Sequence, residues 1–382
     1  MNFLLTEEEK MLQAAVREFV EREVKPRSRA TDEAEEFDWE VWKGMTGLGL
    51  AGIGVDARYG GTPGTHRQMV QVIEEVSRGD AAASVSLLAH RSLAMETVLQ
   101  FGNDKQKAKY IPGAVKGEKI LAWALTEPGS GSDAAAMQTT AVKKGDHYVL
   151  NGSKMFITNG DIAEAVMVFA TQDKSQRHKG VSAFIVDKGL EGFEAHKQSG
   201  KMGLRGSNTV ELTFRDTPVP VGNRLGEEGK GFRYAMEILD SSRIIIAAQS
   251  VGIAQGAFES AVRYAQQRKT FGKPIGEHQA IQFMLADMAT DIYASQAMTL
   301  HAATLKDQGL PYLQEASMAK LYASEACFRV ASKAVQIYGG IGYFKESDVE
   351  RYFRDSRVTS IYEGTSEIQR LVIARQILEQ YK

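Results

Sequence analysis

One candidate for acid–base chemistry is Glu363, in the segment Tyr362–Arg370 with the sequence YEGTSEIQR. A glutamate can act as a general base near neutral pH if the fold buries it and raises its pKa. Taken alone, the segment favours a simpler interpretation, in which Glu363 lies ahead of a helix whose capping box is formed by Ser366 and Gln369. The residue type by itself does not decide between these interpretations.

A second candidate is the glycine-rich segment Gly129–Ala134, which fits the pattern G-x-G-x-x-A after the apolar run Ile120–Leu125. This pattern is typical of a dinucleotide-binding turn when a crossover helix follows it. Here alternating strand patterns follow instead, and no acidic residue ends a second parallel strand about 20 residues later. We therefore expect a different kind of loop at this place.

Cysteine and histidine, the residue types that most often form disulfides or bind zinc, are few. Cys327 is the one cysteine, and the seven histidines are scattered without zinc-ligand spacing. Cys327 lies in an Ala- and Ser-rich helical stretch, which predicts a small core residue rather than a nucleophile. We expect no metal site.

The first third of the chain has helical periodicity. Thr6 followed by three glutamates predicts a capping box, and the apolar face that follows is expected to end at Pro26. Further helices are predicted at residues 38–48, 66–77, 81–101 and 104–111.

The pattern changes to strands and turns between about residues 120 and 220, and Asn151-Gly152 predicts a hairpin turn there. Long helices are predicted again at residues 232–268, 278–309, 313–338 and 366–381. The sequence therefore predicts an α+β multidomain fold. We expect an N-terminal helical domain at 1–118, a central β-barrel or sandwich-like domain at 119–226 and a C-terminal four-helix bundle at 227–382.

Composition excludes some classes of function. A net charge of −2 and a pI of about 6.4 give no electrostatic footprint for nucleic acid. No apolar run approaches the length of a membrane span, and Met1–Leu5 leads into a helix without a signal or transit pattern. We expect a cytoplasmic protein.

Several segments together resemble the acyl-CoA dehydrogenase family. They are Ala124–Asp133 (ALTEPGSGSD), Arg268–Pro274 (RKTFGKP) with His278–Phe283 (HQAIQF), Gln336–Gly340 (QIYGG) and Tyr362–Arg370. These segments are distributed over most of the chain, and their positions agree with the predicted helix–β–helix layout.

The resemblance implies FAD as cofactor and acyl-CoA as substrate. Thr126 would bind the edge of the isoalloxazine ring, and the Thr158 hydroxyl would lie near its N5 atom. Arg268 and its neighbours would hold the adenine and pyrophosphate across a subunit boundary in a homotetramer. The residues that the resemblance assigns to FAD are Trp123, Ala124, Leu125, Thr126, Ser132, Phe156, Ile157, Thr158, Arg268, Phe271, Gln279, Gln336, Gly339, Gly340, Thr365 and Glu367. Those assigned to the substrate are Ser132, Ser207, Asp240, Arg243 and Gly364.

Each of these assignments has a structural alternative. Arg268 could be a solvated helix end, Thr158 an ordinary strand residue, and Gln336–Gly340 a helix C-cap. Asp240 and Arg243 could form an ion pair on one helix face, and Ser207 could belong to a turn at a strand end. The residues alone leave these alternatives open.

The resemblance also implies a mechanism, in which Glu363 removes the α-proton while the β-hydride passes to flavin N5. Its backbone N–H and a ribityl hydroxyl would stabilise the thioester oxygen. A branch of the family carries the base immediately before the arginine that matches Arg243, but that position is Ser242 here. This favours a short-chain or short branched-chain enzyme that forms a trans-2-enoyl-CoA from a short- to medium-chain substrate.

The electron acceptor that the resemblance implies is an electron-transfer flavoprotein, although Phe156 stands where many members have Trp. The acyl tail is expected near residues 88–97 and 249–254. Two alternatives remain: an acyl-CoA oxidase of the same fold, and a non-catalytic flavin or acyl-CoA binding protein. A binding protein would need no base at Glu363.

Overall fold

The computed structural model describes residues 5–382, and the predicted order of helices, sheet and helices is confirmed. The first four residues belong to the segment examined for a signal pattern, and they lie outside the described residues. No helix within residues 5–382 is long and apolar enough to cross a membrane.

The first helical stretch is longer than predicted. Thr6 caps α1 (Glu7–Phe19) through the expected capping box with Glu9. The prediction that Pro26 ends this stretch is wrong, because a π-helical turn at Val20–Val24 leads directly into α2 (Lys25–Ala34). Pro26 lies in the first turn of α2, where a missing N–H is tolerated.

The remaining N-terminal helices precede the first strand of the sheet in the chain. Asp38 caps α3 (Trp39–Gly47), because its carboxylate accepts from the backbone N–H groups of Glu40 and Val41. A second π-helical turn, Ala89–Met95, joins α5 and α6 into one continuous run. The helices are α3 (Trp39–Gly47), α4 (His66–Gly79), α5 (Ala81–Leu88), α6 (Glu96–Phe101) and α7 (Asp104–Val115).

The central region is a mixed sheet of eight strands in the order β6-β7-β3-β2-β4-β5-β8, with β1 parallel to β4. Strand β4 is buried along its whole length, as expected for a strand covered on both faces. The strands are β1 (Leu121–Ala124), β2 (Thr140–Lys144), β3 (His147–Thr158), β4 (Ala165–Thr171), β5 (Val181–Asp187), β6 (Phe193–Lys197), β7 (Thr209–Pro220) and β8 (Arg224–Leu225).

The predicted hairpin at Asn151-Gly152 is wrong. Strand β3 runs through both residues, and the register against β7 shifts between Leu150 and Gly152 as in a β-bulge. The turn between β2 and β3 lies at Gly145-Asp146, within the Lys-Gly-Asp segment that itself predicts a turn, and Lys144 pairs with His147. A side chain at position 152 would meet Thr139 at 2.6 Å, so the glycine serves close packing within the sheet.

The C-terminal helices include one that periodicity did not reveal, α11 (Asp348–Ser356). Cys327 is buried in α10 as predicted, and burial raises the pKa of its thiol. A two-residue ladder joins β9 (Lys269–Thr270) to β10 (Lys273–Pro274) between α8 and α9. The helices are α8 (Gly231–Gln267), α9 (Gln279–Asp307), α10 (Leu313–Tyr338), α11 (Asp348–Ser356) and α12 (Ser366–Gln380).

Candidate active site

A cavity of about 480 Å³ lies where the three regions meet. Its wall combines the α5 helix and the turn after it, the ends of β1 and β3, one face of α8, and the segment before α12. The lining is mainly apolar, with a few polar groups directed into it. The lining residues are Val85, Leu88, Ala89, Leu93, Trp123, Leu125, Thr126, Gly131, Ser132, Asp133, Ala134, Ala135, Phe156, Ile157, Thr158, Phe232, Met236, Leu239, Arg243, Ile361, Tyr362, Glu363, Gly364, Thr365 and Ile368.

Glu363 lies in the cavity wall on a strained turn. Its φ is 52° and that of Gly364 is 94°, so two consecutive residues adopt left-handed conformations. Such a conformation is unfavourable for a glutamate and persists where surrounding contacts hold it. The Gly364 carbonyl accepts from the Lys320 ammonium at 2.7 Å and from the Gln369 amide at 3.0 Å.

The predicted capping box at Ser366 and Gln369 is wrong. Thr365 caps α12 instead, since its hydroxyl accepts from the Ile368 N–H at 3.3 Å. The Gln369 side chain is buried and reaches back to the turn that carries Glu363. The turn is thereby tied to the first turn of α12.

The surroundings of the Glu363 carboxyl bring its pKa close to neutrality. Burial is the largest influence and raises this pKa to about 7. A hydrogen bond from the Ser242 hydroxyl and the positive charges of Lys320 and Arg243 oppose the rise. A carboxyl with a pKa near the working pH has the property required of a general base.

The polar groups near the β1 end of the cavity lack protein partners. Within the described residues, the hydroxyls of Thr126, Ser132 and Thr158 make no hydrogen bond to another protein group. They are free to bind a polar ring edge or a substrate. Phe156 lies beside them with a φ of 62° and is 64% exposed.

A buried ion pair supports this wall from behind. The Lys154 ammonium donates to Glu127 at 2.7 Å and to the Leu125 carbonyl at 3.0 Å. Glu127 also accepts from the backbone N–H of Thr139. The pair therefore connects β3 to the loop that carries Thr126.

Tyr362 lines the cavity next to Glu363 in the chain. Its hydroxyl donates to the Gln249 side chain on α8, which in turn donates to the Ala81 carbonyl at 3.2 Å and the Ser84 hydroxyl at 3.1 Å. This chain of hydrogen bonds crosses the space behind Tyr362. Of the two segments expected near an acyl tail, residues 88–97 contribute Leu88, Ala89 and Leu93 to the wall, but residues 249–254 do not line the cavity.

Two predicted substrate residues do not line the cavity. Ser207 is buried elsewhere, where its hydroxyl oxygen accepts from Ser86 at 3.3 Å. Asp240 forms an ion pair with Arg243 at 2.7 Å on one face of α8, the alternative that the sequence left open. Arg243 itself lines the cavity beside Gly364.

The predicted FAD residues divide into two groups. Trp123, Leu125, Thr126, Ser132, Phe156, Ile157, Thr158 and Thr365 line the cavity, and Ala124 is buried in β1 next to it. The second group does not line it and lies on the exposed surface of the chain. Its members are Arg268, Phe271, Gln279, Gln336, Gly339, Gly340 and Glu367.

Sequence reasoning assigned no role to Lys320, and it missed the contact of Gln369 with the Glu363 turn, since it predicts this residue only in a capping box. It places Gln249 near an acyl tail but does not predict its hydrogen bond with Tyr362. For Lys320 a signal exists, because it occupies a buried position of α10 in line with Ala316 and Cys327. A lysine on an apolar helix stripe is unusual and indicates a specific partner. Ser242 was noticed only as the position of an alternative base, and its role as donor to Glu363 was missed.

Comparison with known proteins identifies relatives over the whole chain. Three family models match in succession: Acyl-CoA dehydrogenase, N-terminal domain, at residues 6–118; middle domain, at 122–217; and C-terminal domain, at 229–378. The chain is 47% identical over 377 residues to the short-chain specific acyl-CoA dehydrogenase of Clostridium acetobutylicum, covering 99% of this chain and 100% of the relative.

Two further relatives have names other than short-chain specific acyl-CoA dehydrogenase. The caffeyl-CoA reductase-Etf complex subunit CarC of Acetobacterium woodii is 46% identical, over 98% of this chain and 99% of the relative. The solved structure of butyryl-CoA dehydrogenase from Megasphaera elsdenii superposes with a TM-score of 0.96 at 42% identity, over 99% of this chain and 100% of that one.

Proposed function

The chain belongs to the acyl-CoA dehydrogenase family, and from this premise we propose that it removes hydrogen across the α–β bond of a short-chain acyl-CoA with Glu363 as the base. The observation that carries the proposal is the Glu363 carboxyl, held in the cavity wall with a pKa of about 7. The sequence resemblance had already implied this residue.

The protein is an oxidoreductase that acts on CH–CH groups, and its cofactor is FAD. The cavity fits the ring of this cofactor, because Trp123 and Leu125 give an apolar wall and Thr126 and Thr158 give unpartnered hydroxyls. FAD supplies the acceptor for the hydride that leaves the β-carbon. The residues of the chain provide binding, orientation and the base.

Removal of the α-proton is the task that we assign to Glu363. A carboxylate is a weak base for carbon, so the site must also stabilise negative charge on the thioester oxygen. Within the described residues, the backbone N–H of Glu363 donates to no protein acceptor. It is therefore free to donate to that oxygen while the side chain of the same residue takes the proton.

Short acyl chains are the substrates that the hydrogen bonds of Tyr362 favour. The hydrogen bonds from Tyr362 to Gln249, and from Gln249 to Ala81, place polar groups where a longer tail would pass. An apolar tail that reached this point would break these bonds and leave the groups unpaired. We infer a preference for chains close to butyryl in length.

The reverse direction is a second candidate function, favoured by the pKa of Glu363. At a pKa of about 7, both the ionised and the protonated forms are present near neutral pH. The ionised form can accept a proton from an acyl-CoA, and the protonated form can donate one to an enoyl-CoA. The relative named caffeyl-CoA reductase-Etf complex subunit CarC supports this candidate and an electron-transfer flavoprotein as redox partner.

The exposed group of motif residues supports an FAD site that a second copy of the chain completes. Arg268 and Gln336 lie at the ends of α8 and α10, outside the cavity. A guanidinium suits a pyrophosphate because it donates two hydrogen bonds in one plane. We propose that these residues hold the adenine end of an FAD whose ring lies in the partner's cavity.

Glu363→Gln tests the assignment of the base. We expect the variant to bind FAD and butyryl-CoA, but to reduce the flavin at least about a thousandfold more slowly in anaerobic stopped-flow absorbance. Glu379→Gln, an exposed change on α12, is the control and should behave as the wild type. Rapid bleaching of the flavin by Glu363→Gln would refute the proposed function.

A further inference from the structure

Lys320 is buried without a carboxylate partner. Its side chain is fully buried in α10, and its ammonium has one hydrogen bond, to the Gly364 carbonyl at 2.7 Å. Within the described residues, no carboxylate oxygen lies within ion-pair distance of it. Burial of an ammonium is unfavourable unless the charge is paired and hydrogen-bonded, so a buried lysine without a carboxylate partner needs an explanation.

Another buried lysine shows how such a charge is ordinarily compensated. Lys154 is fully buried as well, but it pairs with Glu127 at 2.7 Å. The positive charge of Lys320 is not neutralised in this way. The carboxylate that influences it most strongly is that of Glu363, one residue before the carbonyl that it binds.

We propose that Lys320 is a positioning residue, which fixes the Glu363-Gly364 turn through the Gly364 carbonyl and favours the ionised carboxylate of Glu363 by its uncompensated charge. The inference deepens the proposed function, since it rests on Glu363 as the base. Lys320 does not touch the reacting atoms in this account. It acts through the turn and through the electrostatic field.

The geometry of the turn supports the positioning part of the proposal. Glu363 and Gly364 both have positive φ, so the turn needs contacts that hold it. The Gln369 amide also donates to the Gly364 carbonyl, but a neutral amide adds no charge. Among residues 5–382, Lys320 is therefore the group that contributes both a hydrogen bond to Gly364 and a positive charge near the base.

The electrostatics support the second part. Burial raises the pKa of Glu363, the Ser242 hydroxyl opposes the rise, and the charges of Lys320 and Arg243 oppose it further. Burial lowers the pKa of Lys320 to about 8, and Glu363 opposes that change. Lys320 is thus protonated at neutral pH. The other groups that face this pair are Tyr362 beside the base, Glu325 on α10 and Glu367 on α12.

Two substitutions separate the charge from the hydrogen bond. Lys320→Gln keeps a donor for the Gly364 carbonyl but removes the charge, whereas Lys320→Met removes both. The measurement is the rate of anaerobic flavin reduction by butyryl-CoA between about pH 6 and about pH 9, with the midpoint of the rate profile as the main result. Lys333→Met, at a half-buried lysine of the same helix paired with Asp287, is the matched control.

We expect both variants to raise the midpoint by about one pH unit, because an opposite charge lowers a carboxyl pKa by about that amount or more. At high pH, Lys320→Gln should approach the wild-type rate, and Lys320→Met should stay about tenfold lower because its turn is less well held. Lys320→Arg, which keeps the charge, should restore the wild-type midpoint. The Lys333→Met midpoint should not move.

An unchanged midpoint in flavin-loaded Lys320→Gln and Lys320→Met would overturn the proposal, since a purely structural lysine would not affect proton binding at Glu363. Failure of all three Lys320 variants to yield flavin-loaded protein would assign the residue to folding and would overturn it as well. These outcomes are distinct from failure of the proposed function. That failure would appear as rapid flavin reduction by Glu363→Gln, whatever the Lys320 variants do.

Discussion

Two turns in this protein share a backbone conformation but have opposite surroundings. Glu363-Gly364 has φ values of 52° and 94°, and Phe271-Gly272 has values of 49° and 81°. The first turn lies in the cavity wall and is held by Lys320 and Gln369. The second connects β9 to β10 on the surface, and Phe271 is 95% exposed.

The difference shows which part of the proposed site a single chain completes, and which part it leaves exposed. The Glu363-Gly364 turn is held by hydrogen bonds from Lys320 and Gln369 to its carbonyl oxygens. The exposed turn has the positive φ values of a two-residue hairpin, but the aromatic side chain at its tip stays 95% exposed, with only an edge contact to His278 described for its ring. The contacts that hold Glu363 therefore come from its own chain. The exposure of Phe271 is explained by the second copy of the chain that we propose for the FAD site.

The largest effect is expected when the buried turn loses its glycine. A side chain at Gly364 would meet the Gln369 amide nitrogen at 2.6 Å, and the φ of 94° is unfavourable for alanine. We expect Gly364→Ala to slow flavin reduction by about a hundredfold, because the carboxyl of Glu363 would be displaced from the α-carbon. Single-turnover reduction by butyryl-CoA measures this rate.

The control for this prediction is Gly145→Ala in the turn between β2 and β3. Gly145 also has a positive φ, of 64°, but open space surrounds the place of a side chain. This variant should lose some stability and keep its rate of flavin reduction. Equal rate losses in the two variants would show that backbone strain alone, and not the position of the base, determines the effect.

The second prediction concerns the exposed turn. Phe271→Ala should leave the chain folded, because the ring contributes little to the core of one chain, but it should weaken FAD retention between about ten- and about a hundredfold. Flavin release during dilution, followed by fluorescence, measures this effect. Met11→Ala, at a side chain that is 73% exposed on α1, is the control. Unchanged FAD retention in Phe271→Ala would contradict the role assigned to the exposed turn.

The third prediction concerns the hydrogen bond between Tyr362 in the cavity wall and Gln249. Gln249→Ala removes the group that binds the Tyr362 hydroxyl and opens space behind it. We expect the ratio of the rates with hexanoyl-CoA and butyryl-CoA to rise about tenfold, since one or two methylenes in an apolar pocket have effects of this size. Gln255→Ala, on the same helix and bonded to Glu259, should leave the ratio unchanged. An unaltered ratio in Gln249→Ala would place the limit on chain length elsewhere.

The sequence revealed the order of the elements because helical periodicity is strong in the long segments, and α10 begins and ends where predicted. It failed where a local signal was overridden by neighbours. Pro26 reads as a helix end, but the π-helical turn before it accommodates the ring. Asn151-Gly152 reads as a hairpin, but the close approach of Thr139 requires the glycine within a strand.

The site was predictable to the extent that its motifs are contiguous in the chain. Thr126, Thr158 and Glu363 belong to such motifs, and the structure brings them to one cavity. Lys320 and Gln249 belong to none, because each reaches the site from a distant helix through one hydrogen bond. Contacts of this kind depend on how the helices pack, which periodicity does not specify.

The smallest effect is expected in the free energy of unfolding, through the ionisation of Glu363. The pKa of Glu363 is about 7 in the folded protein against an ordinary value of 4.5, so its ionised form destabilises the fold. The protonated form is favoured in the fold, and its contribution is full below pH 4.5 and is lost as the pH rises through about 7. Glu363→Gln should therefore be more stable than the wild type by about 1–2 kcal/mol at about pH 8, after allowance for the open cavity, and nearly equal at about pH 4. Urea unfolding at both pH values measures the difference. Glu277→Gln, beside the exposed turn, is the surface control, and a pH-dependent gain as large at Glu277 would remove the distinction between the two turns.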